Sequence, residues 1–303
     1  MSSGSRLLLI GLRGSGKTSY LAALWHLIEA GELPTALIAS QLQPDREYLN
    51  RIRDNWLKFE EVGRTSLRGQ ELVSLLLMDS RTRSTIDITL PDLSGELFRL
   101  QWITRRATRS YADFAADSPG VLLFIHPTTV AKAARISVDT CDSDSSPERS
   151  SAPSSAELDQ TRLVASRSTE WSPDLAPTQV QLVELLQFVA HLRSAAKPHR
   201  IAIVLSAWDL VRDSILPISW LESHLPLLSQ FLVGNANTVP FRVYGISALG
   251  GDLEKDLSRL QEQAVPSRRI RVVERKLESH GDLTAPIRFL LGLDADQISS
   301  PEK

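Results

Sequence analysis

The sequence has a single cysteine, Cys141, so no disulfide forms within the chain, and its six histidines are dispersed without the Cys/His spacing of a zinc site. A reducing cytoplasm suits such a chain. Neither sign of charge dominates: 34 basic against 36 acidic side chains leave a net charge of −2, and a nucleic-acid binder's global electrostatic footprint is missing. Long apolar runs are absent too. The first apolar stretch after a short polar start is only Leu7–Ile10, too short for a signal-peptide core or a membrane span. What is there is 303 residues, 42% hydrophobic and 23% charged, a globular composition. At ~150 residues per domain, this length fits two domains or one α/β domain carrying a long insertion.

Leu7–Ile10 is wholly apolar and runs into glycines, the mark of a parallel strand buried on both faces. Tyr20, Leu21, Leu24, Trp25 and Leu27 then recur at helical spacing up to Gly31, which predicts a helix over Lys17–Ala30. Further strands are predicted over Glu71–Met78, Ser84–Leu90, Val121–Ile125, Ile201–Leu205 and Arg242–Ile246, with helices between most of them. This alternation predicts an α/β fold: a mostly parallel six-stranded sheet with helices on both faces. The link Asp79–Ser84 is too short for a crossover helix, so the two strands it joins are expected to be antiparallel. Two segments interrupt the alternation. Residues 44–62 read as an additional amphipathic helix. Residues 128–177 contain a stretch, Ser137–Ser155, in which eight of nineteen positions are serine, and so little apolar area cannot offset ordering entropy. A single domain over 1–303 with a disordered insertion is therefore expected.

Gly11-Leu12-Arg13-Gly14-Ser15-Gly16-Lys17-Thr18 fits G-x-x-x-x-G-K-[ST] between a buried strand and a helix. In that context the amides of Gly11 through Ser19 cradle phosphates, Lys17 reaches the β and γ oxygens, and the Thr18 hydroxyl ligates Mg²⁺. Three further strand ends carry polar groups. Asp92-Leu93-Ser94-Gly95 is a D-x-x-G, in which Asp92 suits a Mg²⁺-bound water and the Gly95 N–H suits a γ-phosphate. Asp209, in Ser206-Ala207-Trp208-Asp209, can accept from the two N–H groups that guanine offers and adenine lacks. Its competing reading is a helix cap. Ser247-Ala248-Leu249 brings backbone amides toward the guanine O6.

In this order and on these strands, the motifs resemble those of the translation-factor and Ras-like (TRAFAC) class of P-loop GTPases. The run Gly16–Trp25, the serine-rich interruption and the closing Leu283–Leu291 resemble the bacterial double-GTPase families. The resemblance implies a Ras-like fold, GTP and GDP bound with Mg²⁺, GTP hydrolysis, and a nucleotide switch that acts on protein partners through its switch loops in a multi-gene conflict or signalling system. No nucleic acid and no membrane span belong to that picture. A threonine covering Mg²⁺ is also implied, and Thr65 is the candidate, with Arg64 as a possible finger in cis.

The chain departs from the class at several points. Ser206 and Ala207 replace the usual Asn/Thr-Lys, so the lysine that packs on the guanine ring is missing; Trp208 either supplies that surface or belongs to the core. Glu96 stands where Ras-like members have a water-orienting glutamine, which implies slow hydrolysis. Arg13 replaces a glycine and either shields phosphate charge or points into solvent. Arg105, Arg106 and Arg109, and separately Arg268, Arg269, Arg271, Arg275 and Lys276, are basic runs that suit either solvated faces or docking surfaces. Two rival functions share the phosphate cradle: a P-loop ATPase or kinase, and a nucleotide-dependent scaffold without useful hydrolysis.

Overall fold

Leu7 and Leu9 pack into one apolar cluster and Leu8 and Ile10 into another, so the first strand, β1 (Ser5–Ile10), is buried on both faces. The computed structural model describes residues 4–40, 46–60, 71–132, 172–193, 199–211, 214–276 and 278–294. Thr65 and Arg64, and the serine-rich stretch Ser137–Ser155 with most of its expected insertion, lie outside the described residues.

The strands are β1, β2 (Leu37–Ala39), β3 (Glu71–Asp79), β4 (Thr85–Asp92), β5 (Gly120–Ile125), β6 (Arg200–Ser206), β7 (Phe241–Ser247) and β8 (Arg271–Val273). They form one sheet in the order β2-β3-β4-β1-β5-β6-β7-β8. Strands β4, β1, β5, β6 and β7 are mutually parallel. The β3–β4 pair is antiparallel, as its short link requires. That turn is closed by Asp79, whose carboxylate accepts from the amides of Arg81 and Thr82, each at 2.9 Å. The expected six strands are all present, but among the described residues the sheet has eight. Strands β2 and β8 are three-residue edges, antiparallel to β3 and β7, and too short to leave a period in the sequence.

Helices cover both faces. On one side α1 (Lys17–Ala30), α2 (Glu47–Leu57) and α9 (Ala285–Leu291) enclose the cluster that holds Trp25, Trp56 and Phe289. On the other, α3 (Gly95–Thr104), α4 (Arg109–Asp117), α5 (Thr178–Leu192), α6 (Pro217–His224) and α7 (Pro226–Asn235) enclose Phe98, Tyr111 and Trp220. Helix α2 falls inside the segment read as an additional amphipathic helix. It buries Leu49, Ile52 and Trp56 and is pinned to α1 by the Trp25 indole N–H, which donates to Asn50 Oδ1 at 2.9 Å. The two stems of the 128–177 segment meet in a reciprocal pair: the Thr178 amide donates to Ala131 O, and the Ala131 amide donates to Thr178 Oγ1. No described helix is long and apolar enough to cross a membrane.

Candidate functional site

Strand order reverses at β1, which places the loop after it at the sheet's switch point, where open α/β sheets bind ligands. That loop is Gly11–Thr18. Gly16, the N-cap of α1, has φ 88°, and a Cβ on it would lie 2.9 Å from Ser206 Cβ. Only glycine lets the loop close on the end of β6 there. Among the described residues no side chain caps α1, so the positive end of its dipole faces the loop as a place for an anion. Ser15 is buried in the loop, and Arg13 is exposed at its rim.

Lys17 is only 6% exposed. Its Nζ donates to Gly11 O at 2.9 Å, Leu12 O at 3.4 Å and Ser15 Oγ at 3.3 Å, and it lies 5.5 Å from the Phe98 ring of α3. Burial pulls its pKa down to about 8, opposed by the negative charge of Asp92. Asp92 is fully buried at the end of β4. Its carboxylate accepts the Thr18 hydroxyl, with Oγ1 at 3.1 and 3.3 Å from the two oxygens, and also the Tyr48 hydroxyl of α2. A threonine hydroxyl beside a buried carboxylate is a hard-oxygen set that suits hydrated Mg²⁺.

The D-x-x-G turn is packed onto the phosphate loop. Ser94 caps α3 by accepting from the Glu96 amide at 3.2 Å, and a Cβ on Gly95 would lie 2.5 Å from Arg13 N and Cα. Glu96 holds Arg99 at 2.9 Å. Arg13 and Arg99 both line a cavity of about 280 Å³ beside the loop, together with His126 and Gln181.

A larger cavity, about 480 Å³, opens on the other side of the loop, a volume suited to a small ligand. Gly14, Gly16, Ser19, Ser206, Asp209, Ala248 and Leu249 all line it. Asp209 lies in the single 3-10 turn Trp208–Leu210, while the next helix, α6, starts at Pro217. The capping reading of Asp209 therefore does not apply. Its carboxylate instead accepts the Ser247 hydroxyl at the end of β7, and Ser247 Oγ accepts the Gly250 amide at 3.1 Å. Ala207 is held at φ 46°, an uncommon conformation for a residue with a side chain. Trp208 does not line the cavity; its ring packs on Gly245, where a Cβ would lie 2.4 Å from it.

Two lining or contacting residues escaped the sequence reading. His126 follows β5 directly and lines both cavities; burial lowers its pKa, with Asp209 pulling the other way. Its place at a parallel strand's carboxyl end was a usable signal. Tyr48 gave none, because its meeting with Asp92 depends on how α2 packs.

No curated protein matches the chain. Among solved structures, it is similar to the Saccharomyces cerevisiae Ski7 GTPase-like domain bound to GDP and inorganic phosphate, at 14% identity and a TM-score of 0.45, covering 98% of this chain and 51% of that one. This chain thus spans about half the length of that one. It is also similar to the SRb-GTP/SRX signal recognition particle receptor complex of Chaetomium thermophilum, at 13% identity and a TM-score of 0.43, with 83% and 94% covered. A third similarity is to the bacterial selenocysteine-specific elongation factor EF-Sec, at 12% identity and a TM-score of 0.35, with 85% and 28% covered. The Double-GTPase 1 family profile matches residues 8–290. A buried lysine in a glycine loop, a D-x-x-G packed on that loop and a carboxylate in the lining of one cavity stand within the matched span, and the chain belongs to the Double-GTPase 1 family.

Proposed function

We infer that this protein is a Mg²⁺-dependent guanine-nucleotide switch that hydrolyses GTP slowly to GDP and phosphate and reports the difference to a protein partner. The observation that carries this reading is the Asp209 carboxylate, held by the Ser247 hydroxyl, in the lining of the 480 Å³ cavity that Gly14 and Gly16 of the phosphate loop also line. In this role Asp209 accepts from guanine N1–H and N2–H₂, and the loop Ser247, Ala248 and Leu249 closes over the base. Gly11, Gly14, Ser15, Gly16 and Ser19 supply the phosphate cradle, Lys17 its charge. Thr18 and Asp92, with Thr65, would hold Mg²⁺, which when bound neutralises phosphate charge. Gly95 lies against Arg13, so a γ-phosphate at the loop rim meets the first amide of α3 and is sensed there. Arg13 shields phosphate charge from the rim. Glu96 is engaged by Arg99, an arrangement that does not orient a water as a glutamine amide would, and this supports slow hydrolysis. The same reading takes residues 1–303 as one GTPase-like domain, in the cytoplasm, working in a conflict or signalling system, with no nucleic-acid partner.

Titration of the purified chain with GTP, GDP and ATP in Mg²⁺ tests it: guanine nucleotides bind and ATP does not. Equal affinity for ATP would move the protein to the ATPase or kinase reading. Single-turnover GTP cleavage decides the second reading, which the Glu96–Arg99 pair favours, namely a scaffold that binds GTP without turning it over.

A further inference from the structure

The second basic run takes no part in the nucleotide cavity. Arg268, Arg269 and Arg271, with Arg259 from α8 (Leu257–Gln261), line a separate cavity of about 90 Å³ together with Gly250, Leu260 and Gln263. Among the described residues, no carboxylate lines it. Arg269 is only 6% exposed. Its guanidinium lies between two rings, 4.3 Å from the Trp56 centroid and 4.4 Å from that of Phe59, and its Nε donates to Pro266 O at 3.1 Å. Ring faces and a carbonyl hold a cation without cancelling its charge. Glu32, whose charge acts on Arg269, is itself engaged by the Ser267 amide and His26. Burial lowers the Arg269 pKa to about 10, so it stays charged at neutral pH.

The neighbours add charge. Arg268 and Arg271 are exposed, and among the described residues neither forms an ion pair. Arg259 is 3.5 Å from Asp256 and donates to Gly250 O at 3.2 Å. Four guanidinium groups around so small a space repel one another, and a compact dianion relieves that repulsion with charge-assisted hydrogen bonds from planar donors. The volume admits one tetrahedral oxyanion and is far below the ~300 Å³ of a small-molecule pocket. A small pit also differs from the groove that tracks a nucleic-acid backbone.

We propose that the Arg259–Arg268–Arg269–Arg271 cavity is a second anion site, separate from the phosphate loop, which binds a single phosphate monoester group and thereby weakens guanine-nucleotide binding. The link runs through hydrogen bonds. Arg259 donates to Gly250 O, the Gly250 amide donates to Ser247 Oγ, and Ser247 donates to Asp209. An anion that draws Arg259 away from Gly250 releases the loop that positions Asp209. By reciprocity, guanine nucleotide weakens the anion to the same factor. This coupling rests on the guanine reading of the larger cavity; the anion site itself does not.

The test titrates the full chain calorimetrically with inorganic phosphate, both nucleotide-free and saturated with GDP and Mg²⁺, at constant ionic strength set by sodium chloride. The expected result is saturable binding that weakens at least about tenfold in Arg268→Ala/Arg271→Ala and persists in Arg13→Ala, which removes a cation at the rim of the phosphate loop. Both replaced arginines are exposed, and an unchanged melting temperature verifies the fold. A phosphoserine hexapeptide and glycerol 3-phosphate separate the sources: tighter binding of the peptide names a phosphorylated partner, and equal binding names a small ester. No saturation beyond the chloride control, or equal phosphate affinity in the double variant, overturns the site. Loss of a thymidine octanucleotide in that variant, without any response to monoesters, overturns it in favour of nucleic acid. Phosphate that binds as expected and leaves GDP affinity untouched overturns the coupling, whereas failure of GDP to bind at all would fall on the guanine reading.

Discussion

Ser247, at the end of β7, donates a hydrogen bond from its hydroxyl to Asp209, 38 residues earlier in the chain and beyond the end of β6. The bond fixes the carboxylate at the wall of the nucleotide-sized cavity before any base arrives. A pre-aimed carboxylate discriminates by what it leaves unpaired. Asp209→Asn should therefore weaken GTP and GDP by roughly tenfold or more and shift preference toward xanthosine triphosphate, whose O2 accepts from the new amide. Measured affinities for the two triphosphates in wild type and variant check this, and an unchanged ratio in a folded variant removes Asp209 from base recognition.

Lys17 has a pKa of about 8 in the folded chain against an ordinary 10.5, because burial penalises its ammonium. The unfolded chain therefore holds more protons between those values, so this group's penalty on stability is full below pH 8 and is relieved as pH rises toward 10.5. Phosphate binding favours the charged form. GTP affinity should fall above pH 8, with proton uptake detected calorimetrically in buffers of different ionisation enthalpy, and Lys17→Ala should abolish binding while the fold survives. Affinity that stays flat from about pH 7.5 to 9.5 would place Lys17 away from the phosphates.

Tyr48 hydrogen-bonds the same carboxylate as Thr18. Removing its hydroxyl costs about 1 kcal/mol of stability and lets Asp92 turn. Tyr48→Phe should weaken Mg²⁺-dependent nucleotide affinity several-fold while affinity measured in EDTA is unchanged. A loss of the same size with and without Mg²⁺ would assign Tyr48 to packing.

A methyl group on Gly95 would collide with the Arg13 backbone at 2.5 Å. Gly95→Ala should push the D-x-x-G turn off the phosphate loop, which lowers GTP affinity more than GDP affinity. An unaltered ratio of the two would mean that the turn does not sense the third phosphate.

The central sheet and the phosphate loop were legible because their causes are local: apolar runs of strand length and glycines at fixed spacing. The edges of the sheet were not. A three-residue strand such as Leu37–Ala39 forms because Asp79, Met78 and Leu77 of β3 lie opposite it, which no window of sequence contains. For the same reason a window around Asp209 and Trp208 shows neither Ser247, which holds the carboxylate, nor Gly245, on which the indole packs. Tyr48 was invisible, since a tyrosine on an amphipathic helix looks the same whether it faces solvent or a buried carboxylate.

Helix α2 spans eleven residues, a rod of ~16 Å. At one end Tyr48 holds Asp92; at the other, the Trp56 indole donates to Ala248 O at 3.1 Å and its ring backs Arg269. What looks like an appendage between strands is thus a strut attached at both ends. A minimal version of this protein, trimmed of α2 to match a leaner scaffold, would retain every motif residue and lose the part that keeps them in register.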